Sequence, residues 1–232
     1  MRIALVGTGR MARAVAEEAA GRGHEIVLRL GRPENRDGRG ITAPRFDGVD
    51  MALEFTRPEA AVSNLERLIC LGVPVVTGTT GWQDQLPRIE ALVQERNGAL
   101  LHAANFSVGV QLFLRTAREL GRRLSRRPGF DGAILERHHK GKLDAPSGTA
   151  LALQAVLREA DPDRDYPITS VRSGWVPGTH ALEIDAAHES IAFTHIARDR
   201  AVFAAGAVLA AEWLVGRRGV FTFAQALFGD EP

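Results

Sequence analysis

Short runs of apolar residues recur along the first hundred positions, and amphipathic segments separate them. The runs are typical of strands buried on both faces, and they predict strands at 2–6, 24–30, 51–56, 73–77 and 99–103. Apolar residues at helical spacing between the runs predict helices from about residue 10 through Arg22 and over 58–71 and 82–94. This alternation of strand and helix favours an α/β fold with a parallel sheet.

The second half of the chain has a different order of elements. A helix is predicted from about 105 to 123, a strand over 133–137 and a helix over 150–157, before strands at 168–174, 180–186 and 190–197. Apolar helices over 200–215 and 221–227 close the sequence. Between 34 and 48 the residues are rich in Gly, Pro, Arg and Asp, so we expect a loop there with at most one short strand over 42–46. The change of order, in a chain of 232 residues, predicts a second domain that begins near Asn105.

A glycine-containing turn joins the first predicted strand to the first helix. Gly7 permits a tight turn, Gly9 lets backbone N–H groups reach a pyrophosphate, and Ala12 is small enough for the helix to pack on the strand. The stretch that would contact the cofactor consists of Gly7, Thr8, Gly9, Arg10, Met11 and Ala12. The turn therefore predicts a dinucleotide-binding site.

The residues after the second predicted strand bear on the choice of cofactor. A site for NADH usually offers an acid there to the ribose hydroxyls, but this chain has Gly31 and Arg32, and its nearest acids are Glu34 and Asp37. Arg32 can pair with the 2′-phosphate of NADPH, and the alternative is a solvated arginine-rich loop. We expect NADPH and/or NADH as cofactor, with NADPH slightly favoured.

The greatest density of chemically active side chains lies between Glu136 and Ala150. His138 and His139 are adjacent at the end of a predicted strand, so their rings should leave on opposite faces and serve different purposes. Ser147 is a good cap for the following helix, whose first N–H groups carry the positive end of the helix dipole. With Lys142 nearby, the stretch predicts a pocket for a carboxylate or phosphate beside a proton donor. The alternative is a capped helix with solvated side chains.

Composition and charge argue against several classes of binding partner and site. The formal net charge of +1, from 29 basic and 28 acidic residues, gives no field strong enough to indicate nucleic acid or an anionic membrane. The single cysteine, Cys70, excludes an internal disulfide and should pack in the core, and no Cys/His set has the spacing of a structural zinc site. The first strand follows Met1 almost directly, and the apolar run over 201–211 is too short to span a bilayer, so we expect a cytoplasmic protein.

The stretch E-R-H-H-K-G-K-L-D-A-P-S-G-T-A, residues 136–150, resembles the signature of the 4-hydroxy-tetrahydrodipicolinate reductase (dihydrodipicolinate reductase) family. That family contains nicotinamide-dependent enzymes of lysine and diaminopimelate synthesis. The resemblance implies reduction of 4-hydroxy-tetrahydrodipicolinate to tetrahydrodipicolinate and water, with His138 as proton donor and Lys142 as the second catalytic residue. It further implies that Lys142, His139 and the N–H groups of Gly148 and Thr149 hold the substrate carboxylates. The loops after the later strands, where open α/β sheets bind ligands, would contact the cofactor through Phe55, Arg57, Gly78, Thr80 and Phe106.

The resemblance covers nearly the whole chain and implies a division into domains. Residues 1–104 and 201–232 would form a Rossmann-like dinucleotide-binding domain. Residues 105–200 would form an α+β domain with an open mixed sheet, which binds the substrate and assembles a homotetramer. We expect His180, His188 and His195 to be structural.

Two other functions stay open on the sequence. Another Rossmann-type amino-acid dehydrogenase fits the first domain, although a semialdehyde dehydrogenase needs an exposed nucleophilic cysteine, for which Cys70 is poorly placed. From a different class, the chain could be a non-catalytic nucleotide-binding sensor.

Overall fold

A computed structural model gives the fold, and it describes residues 1–229. The strands are β1 (Arg2–Val6), β2 (Glu25–Leu30), β3 (Met51–Glu54), β4 (Val75–Thr77), β5 (Ala99–His102), β6 (Phe130–His138), β7 (Ile168–Arg172), β8 (Gly178–Ala186), β9 (Glu189–Ala197) and β10 (Gly219–Thr222). The helices are α1 (Arg10–Gly21), α2 (Pro58–Cys70), α3 (Leu86–Glu95), α4 (Val108–Leu124), α5 (Gly148–Ala160), α6 (Ala201–Leu214) and α7 (Phe223–Phe228). Over the stretch that the structure describes, none of the helices combines the length and apolarity needed to cross a bilayer.

The chain divides into two compact units. One contains Met1–Phe106 and the segment from Phe203 onward, and the other contains Ser107–Val202. The first unit therefore consists of two separate stretches of sequence.

The first unit is organised around a six-stranded sheet in the order β10-β5-β4-β3-β1-β2. Every neighbouring pair of strands is parallel. All four residues of β3 and all three of β4 are buried, as expected for parallel strands covered on both faces. Because β1 lies between β2 and β3, the order of strands reverses there, and such a switch point places a ligand crevice at the carboxyl ends of the strands. The predicted α/β class and Rossmann-like sheet are confirmed.

The second unit contains a four-stranded sheet in the order β7-β6-β8-β9. β6 and β7 are parallel, and the other two pairs are antiparallel, so the sheet is mixed as predicted. Burial alternates along β6, with Ile134, Glu136 and His138 on the buried face. The core joins that face to α4 and α5 through Phe113, Ala117, Ile134, Leu153, Leu157, Leu182 and Ile184. The sheet thus decides which side chains of the 136–150 stretch face inward.

The loop over 34–48 does not contain the short strand expected at 42–46. The structure has a 3-10 turn at Ala43–Arg45 instead. Pro44 has no N–H for strand pairing, and its fixed φ suits a helical turn. The Thr42 carbonyl oxygen accepts from the N–H groups of Arg45 and Phe46, both at 3.1 Å, which closes the turn.

The last predicted helix, over 221–227, begins later than expected. Residues Gly219–Thr222 form β10, parallel to β5, and α7 starts at Phe223. Thr222 and Gln225 form a capping box, in which Thr222 Oγ1 accepts from the Gln225 N–H at 3.2 Å. The cap fixes the helix start and leaves the apolar residues before it to the strand.

Two helices of the first unit differ from expectation in detail. The helix expected from residue 82 starts at Leu86, after a 3-10 turn over Gln83–Gln85, because Pro87 fits a first helical turn. Cys70, expected in the core, is exposed at the last residue of α2. The buried stripe of α2 ends at Ile69, and the next residue lies about 100° further round the helix axis.

Candidate active site

The turn after β1 has a backbone suited to a nucleotide phosphate. Gly7 has φ +118°, and a Cβ there would lie 2.1 Å from the carbonyl oxygen of Phe55, so only glycine fits. A Cβ at Gly9 would meet nothing within 4 Å, so the space in front of the turn is open. α1 has no side-chain cap and no acid in its first turn, which leaves its N–H groups and the positive end of its dipole for an anion. Of the other predicted contacts, Thr8 and Arg10 are exposed, Met11 is half-buried and Ala12 is buried.

Three of the other predicted cofactor residues lie together in the first unit. Phe55 follows β3 and Gly78 follows the neighbouring β4, and a Cβ at Gly78 would lie 2.2 Å from the Phe55 ring. The Phe106 ring, 3% exposed, has its centroid 6.1 Å from that of Phe55 and 5.1 Å from that of Phe223. Thr80 is exposed, two residues beyond Gly78.

A buried carboxylate orders these loops, and it was not among the residues predicted for the site. Glu54, the last residue of β3, is fully buried and accepts hydrogen bonds from the hydroxyls of Thr56 and Thr77, the latter at 2.6 Å. Asn64 of α2 donates to the same carboxylate at 3.4 Å, and Thr79 Oγ1 accepts from the Thr56 N–H at 2.8 Å. The loops after β3 and β4 are therefore tied to one another and to α2.

The turn after β2 departs from the expectation that no acid stands there. Glu34 Oε2 lies 3.0 Å from the place that a Cβ of Gly31 would occupy, and Thr8 Oγ1 lies 3.4 Å from the same place. The turn that returns Glu34 is closed by the Asn35 N–H, which donates to the Gly31 carbonyl oxygen at 3.0 Å. A carboxylate therefore reaches the end of β2 from three positions downstream, while Arg32 is exposed beside it. The sequence alone did not predict that Glu34 lies near the end of β2, because a turn of the backbone brings it there.

In the second unit, β6 carries a carboxylate and an imidazole on its buried face. Glu136 is 0% exposed and His138 7%, and residues two apart on a strand point the same way. His138 Nδ1 lies 2.5 Å from Glu136 Oε2. Arg172, paired with His138 across β6 and β7, donates to Glu136 Oε1 at 2.6 Å and to Oε2 at 2.9 Å. The structure thus forms a chain of guanidinium, carboxylate and imidazole.

Ser147 and His180 extend this cluster. The Ser147 N–H donates to Glu136 Oε1 at 3.3 Å, and Ser147 Oγ caps α5 by accepting from the Ala150 N–H at 3.2 Å. The same hydroxyl lies 2.9 Å from His180 Nε2. The His180 ring stands edge-on to His138, with ring centroids 5.1 Å apart. His180, which we expected to be structural, therefore lies against the proton-donor candidate.

The surroundings move the pKa values of all three titratable groups. Burial would raise the pKa of Glu136, but hydrogen bonds, above all from Arg172 and then from His138, lower it to about 2, so the carboxylate is ionised at neutral pH. Burial lowers the pKa of His138, and the hydrogen bond and charge of Glu136 oppose that effect. Burial, together with the charge of His138, lowers the pKa of His180 to about 4. His180 is consequently uncharged at neutral pH.

The remaining predicted substrate residues lie on the loop after β6 and at the start of α5. Lys142 Nζ pairs with Asp144 Oδ1 at 2.7 Å, and its side chain is 25% exposed. His139 is half-buried, and its Nδ1 lies 3.4 Å from the place of a Cβ on Gly141. Gly148 is exposed at the first residue of α5, with nothing within 4 Å of its Cβ position, and Thr149 is half-buried.

The sequence did not assign a role to Glu136 or Arg172. The signal for Glu136 was available, because the period of two along β6 puts it on the face of His138. No comparable signal existed for Arg172, since its place opposite His138 depends on the register of a distant strand.

Glu136, His138 and His180 bring donor atoms within 4.8 Å of one another, which raises the question of a cation. Both carboxylate oxygens of Glu136 already accept from Arg172, and His138 Nδ1 is engaged with Glu136. The guanidinium also repels a cation at this point. The cluster therefore suits proton transfer better than metal binding.

A Rossmann-like sheet with a glycine turn, joined to a second unit that carries an imidazole and a carboxylate, defines the class of two-domain nicotinamide-dependent oxidoreductases. Two family descriptions match the chain: "Dihydrodipicolinate reductase, N-terminus" over residues 1–106 and "Dihydrodipicolinate reductase, C-terminus" over residues 109–227. The chain belongs to the dihydrodipicolinate reductase family.

Relatives and solved structures agree with this membership. The 4-hydroxy-tetrahydrodipicolinate reductase of Christiangramia forsetii is 36% identical over 98% of both chains. That of Gluconobacter oxydans is 37% identical over 97% of this chain and 96% of its own. The dipicolinate-bound dihydrodipicolinate reductase from Paenisporosarcina sp. TG-14 has the same fold, with a TM-score of 0.80 at 19% identity over 98% of this chain and 99% of that one. The amine dehydrogenase of Mycobacterium smegmatis is less similar, with a TM-score of 0.62 at 11% identity over 97% and 95% of the two chains.

Proposed function

We propose that this protein reduces 4-hydroxy-tetrahydrodipicolinate to tetrahydrodipicolinate, with NADPH or NADH as reductant, in lysine and diaminopimelate biosynthesis. The substrate gains a hydride at the ring carbon that carries its hydroxyl, one proton is taken up, and the hydroxyl leaves as water. When bound, the reduced nicotinamide supplies the hydride. The reaction thus leaves two tasks to the chain itself: binding a dianion and moving a proton.

The observation that carries this proposal is the His138 cluster. A proton donor for this step needs a pKa near neutrality and a place out of bulk water. His138 is 7% exposed, and its Nδ1 is held 2.5 Å from the ionised Glu136. A merely capped helix, the alternative reading of this stretch, does not require a buried imidazole and carboxylate on the strand that precedes it.

The carboxylates of the substrate would be held at the loop after β6 and at the start of α5. Lys142 offers a cation, and its present partner Asp144 is 58% exposed, so exchange of that carboxylate for one of the substrate costs little. The Gly148 and Thr149 N–H groups stand at the positive end of the α5 dipole. His139, on the loop that leads to Lys142, is the third group we assign to substrate binding.

For the cofactor we propose that both NADPH and NADH are accepted, with NADPH slightly favoured. Arg32 would pair with the 2′-phosphate of NADPH. Glu34, whose Oε2 lies 3.0 Å from the Cβ position of Gly31, would accept the ribose hydroxyls of NADH. The phosphates of the nucleotide would contact Gly7–Ala12, and Phe55 would lie along the nucleotide. Gly78, Thr80 and Phe106 would contact its nicotinamide end.

We also propose a homotetramer, located in the cytoplasm. Leu135, Val171 and Ile196 stand on the outer face of the mixed sheet and are 38%, 37% and 63% exposed. Exposed apolar side chains on one face of a sheet are commonly covered by association with another subunit. Light scattering of the purified protein would give the number of subunits, and a monomer would refute the tetramer.

The test of the activity is a coupled assay. Substrate is generated enzymatically, and the fall in reduced-cofactor absorbance is followed with NADPH and NADH in parallel. We expect turnover with both. Cofactor binding without any turnover would instead support the nucleotide-binding sensor.

The cofactor assignment is tested by two single variants and a transplant. Arg32→Ala should weaken NADPH alone, by about 1.5–3 kcal/mol, the usual worth of a hydrogen bond to a charged group. Glu34→Ala should weaken NADH alone, and Gly31→Asp combined with Glu34→Ala should restore NADH binding, because the acid then stands where the strand ends. Equal losses for both cofactors in each single variant would contradict both assignments.

A further inference from the structure

The buried carboxylate of Glu136 has no task in the reaction itself, but it is the most fully bonded side chain of the cluster. Its Oε1 accepts from Arg172 Nη2 at 2.6 Å and from the Ser147 N–H at 3.3 Å. Its Oε2 accepts from Arg172 Nη1 at 2.9 Å and faces His138 Nδ1 at 2.5 Å. An ionised carboxylate can only accept, so the contact with His138 requires a proton on Nδ1.

Arg172 fixes the carboxylate from the neighbouring strand. The register of β6 and β7 pairs His138 with Arg172, and the guanidinium donates two parallel hydrogen bonds to Glu136. Arg172 Nη2 also donates to the Asp144 carbonyl oxygen at 2.5 Å, which ties the loop that carries Lys142 to the same group. Glu136 therefore cannot rotate away from His138 without breaking several bonds.

The other ring nitrogen, Nε2 of His138, points to the start of β8. A Cβ on Gly178 would lie 3.0 Å from this atom, so the buried glycine makes room for the imidazole itself. The His180 ring stands on the same strand, edge-on to His138. Since Nδ1 is engaged with Glu136, Nε2 is the nitrogen left to exchange a proton with a ligand.

We infer that Glu136, anchored by Arg172, is the positioning residue of this enzyme: it holds His138 with the proton on Nδ1, so that Nε2 is the atom that delivers the proton. The hydrogen bonds of Glu136 and Arg172 carry the assignment of the tautomer. Only the delivery of a proton to substrate rests on the proposed function.

The charge of Glu136 also affects the pKa of His138. The charged or titratable groups that face His138 are Glu136 on its own strand, Arg172 on β7, His180 on β8 and Lys142 on the following loop. Among them Glu136 alone favours the imidazolium. Removing its charge leaves Arg172 and Lys142 unopposed, so the pKa of His138 falls. A general acid works only while protonated, and the decline of kcat/KM toward high pH must then begin at a lower pH.

The tautomer is measured on the unmodified protein by NMR. Histidines are labelled with ¹⁵N, the signals of His138 are assigned by their loss in His138→Gln, and long-range ¹⁵N–¹H correlations identify the protonated nitrogen above the pKa of the ring. We expect the Nδ1–H form. An Nε2–H form overturns the inference whether or not the protein turns over, so the outcome is separable from failure of the proposed function.

The positioning role is measured by kinetics of Glu136→Gln. We expect kcat to fall about a hundred- to ten-thousandfold, the usual worth of a positioned acid, with little change in cofactor affinity and with the high-pH decline moved to lower pH. Glu136→Asp keeps the charge and should keep that decline near its original pH. Asp131→Asn also replaces a carboxylate by an amide, but at an exposed position of the same strand. It should change neither kcat nor the pH at which the decline begins. If the high-pH decline of kcat/KM in Glu136→Gln begins at the same pH as in the unmodified protein, the positioning role is overturned, whatever the size of the loss in kcat.

Discussion

The ion pair of Arg172 with the buried Glu136 should contribute measurably to folding, and a double-mutant cycle isolates its contribution. The perturbation is Arg172→Met, which keeps a long apolar stem and removes the charge. It leaves the carboxylate of Glu136, 0% exposed, without its two strongest donors. Removing one partner of a buried pair typically costs about 3–5 kcal/mol, because the other charge stays buried and unpaired.

The pKa of Glu136 gives an independent figure. A pKa lowered from 4.5 to about 2 corresponds to about 3 kcal/mol of stability, at roughly 1.4 kcal/mol per pKa unit. Because the pKa is lower in the folded protein, this stability is present above pH 4.5 and is lost as the pH falls toward 2. The difference in unfolding free energy between the unmodified protein and Glu136→Gln should shrink across that window.

The assay is urea unfolding at neutral pH, with amide hydrogen exchange on β6 and β7 as a local measure. We expect Arg172→Met to lose about 3 kcal/mol and the double variant with Glu136→Gln to lose less than the two single losses together, with a coupling of at least about 1.5 kcal/mol. Arg158→Met removes an exposed ion pair, with Asp165, and should cost at most about 0.5 kcal/mol. Losses that simply add would refute the view that Arg172 and Glu136 act as one unit.

Three further outcomes are expected. His138→Gln should lower kcat by about a hundred- to ten-thousandfold in steady-state kinetics while fluorescence titration gives an unchanged cofactor affinity, and wild-type kcat would remove His138 as the proton donor. Lys142→Ala should raise KM strongly, and His139→Ala should resemble it more than it resembles His138→Gln, because Lys142 and His139 both hold the substrate in its ground state. An unchanged KM in both variants would refute that assignment. Deletion of the residues after Gly216 removes β10, which pairs with β5, and the buried Phe223, so the melting temperature and the cofactor affinity should both fall. A truncated protein with the melting temperature and cofactor affinity of the full chain would contradict this.

The sequence contained most of the local information about this fold. Strong apolar runs fixed β1, β3 and β4 to within two residues, since a strand buried on both faces tolerates few polar side chains. It failed where local signals compete. Thr42 to Phe46 has strand-forming residues at its ends, but Pro44 forces a turn, and the apolar residues before Phe223 pair as a strand because a capping box starts the helix after them.

The types of chemical group at the site and the glycine turn are encoded in contiguous residues, so both could be predicted from the sequence. Which groups come into contact depends on the packing of distant segments. Arg172 reaches Glu136 through the register of two strands, His180 reaches His138 across an antiparallel pair, and Glu34 reaches the end of β2 through a turn. The physical reason is that side-chain direction along one strand has a period of two and can be read locally, whereas the pairing of distant strands is set by the packing of the whole sheet.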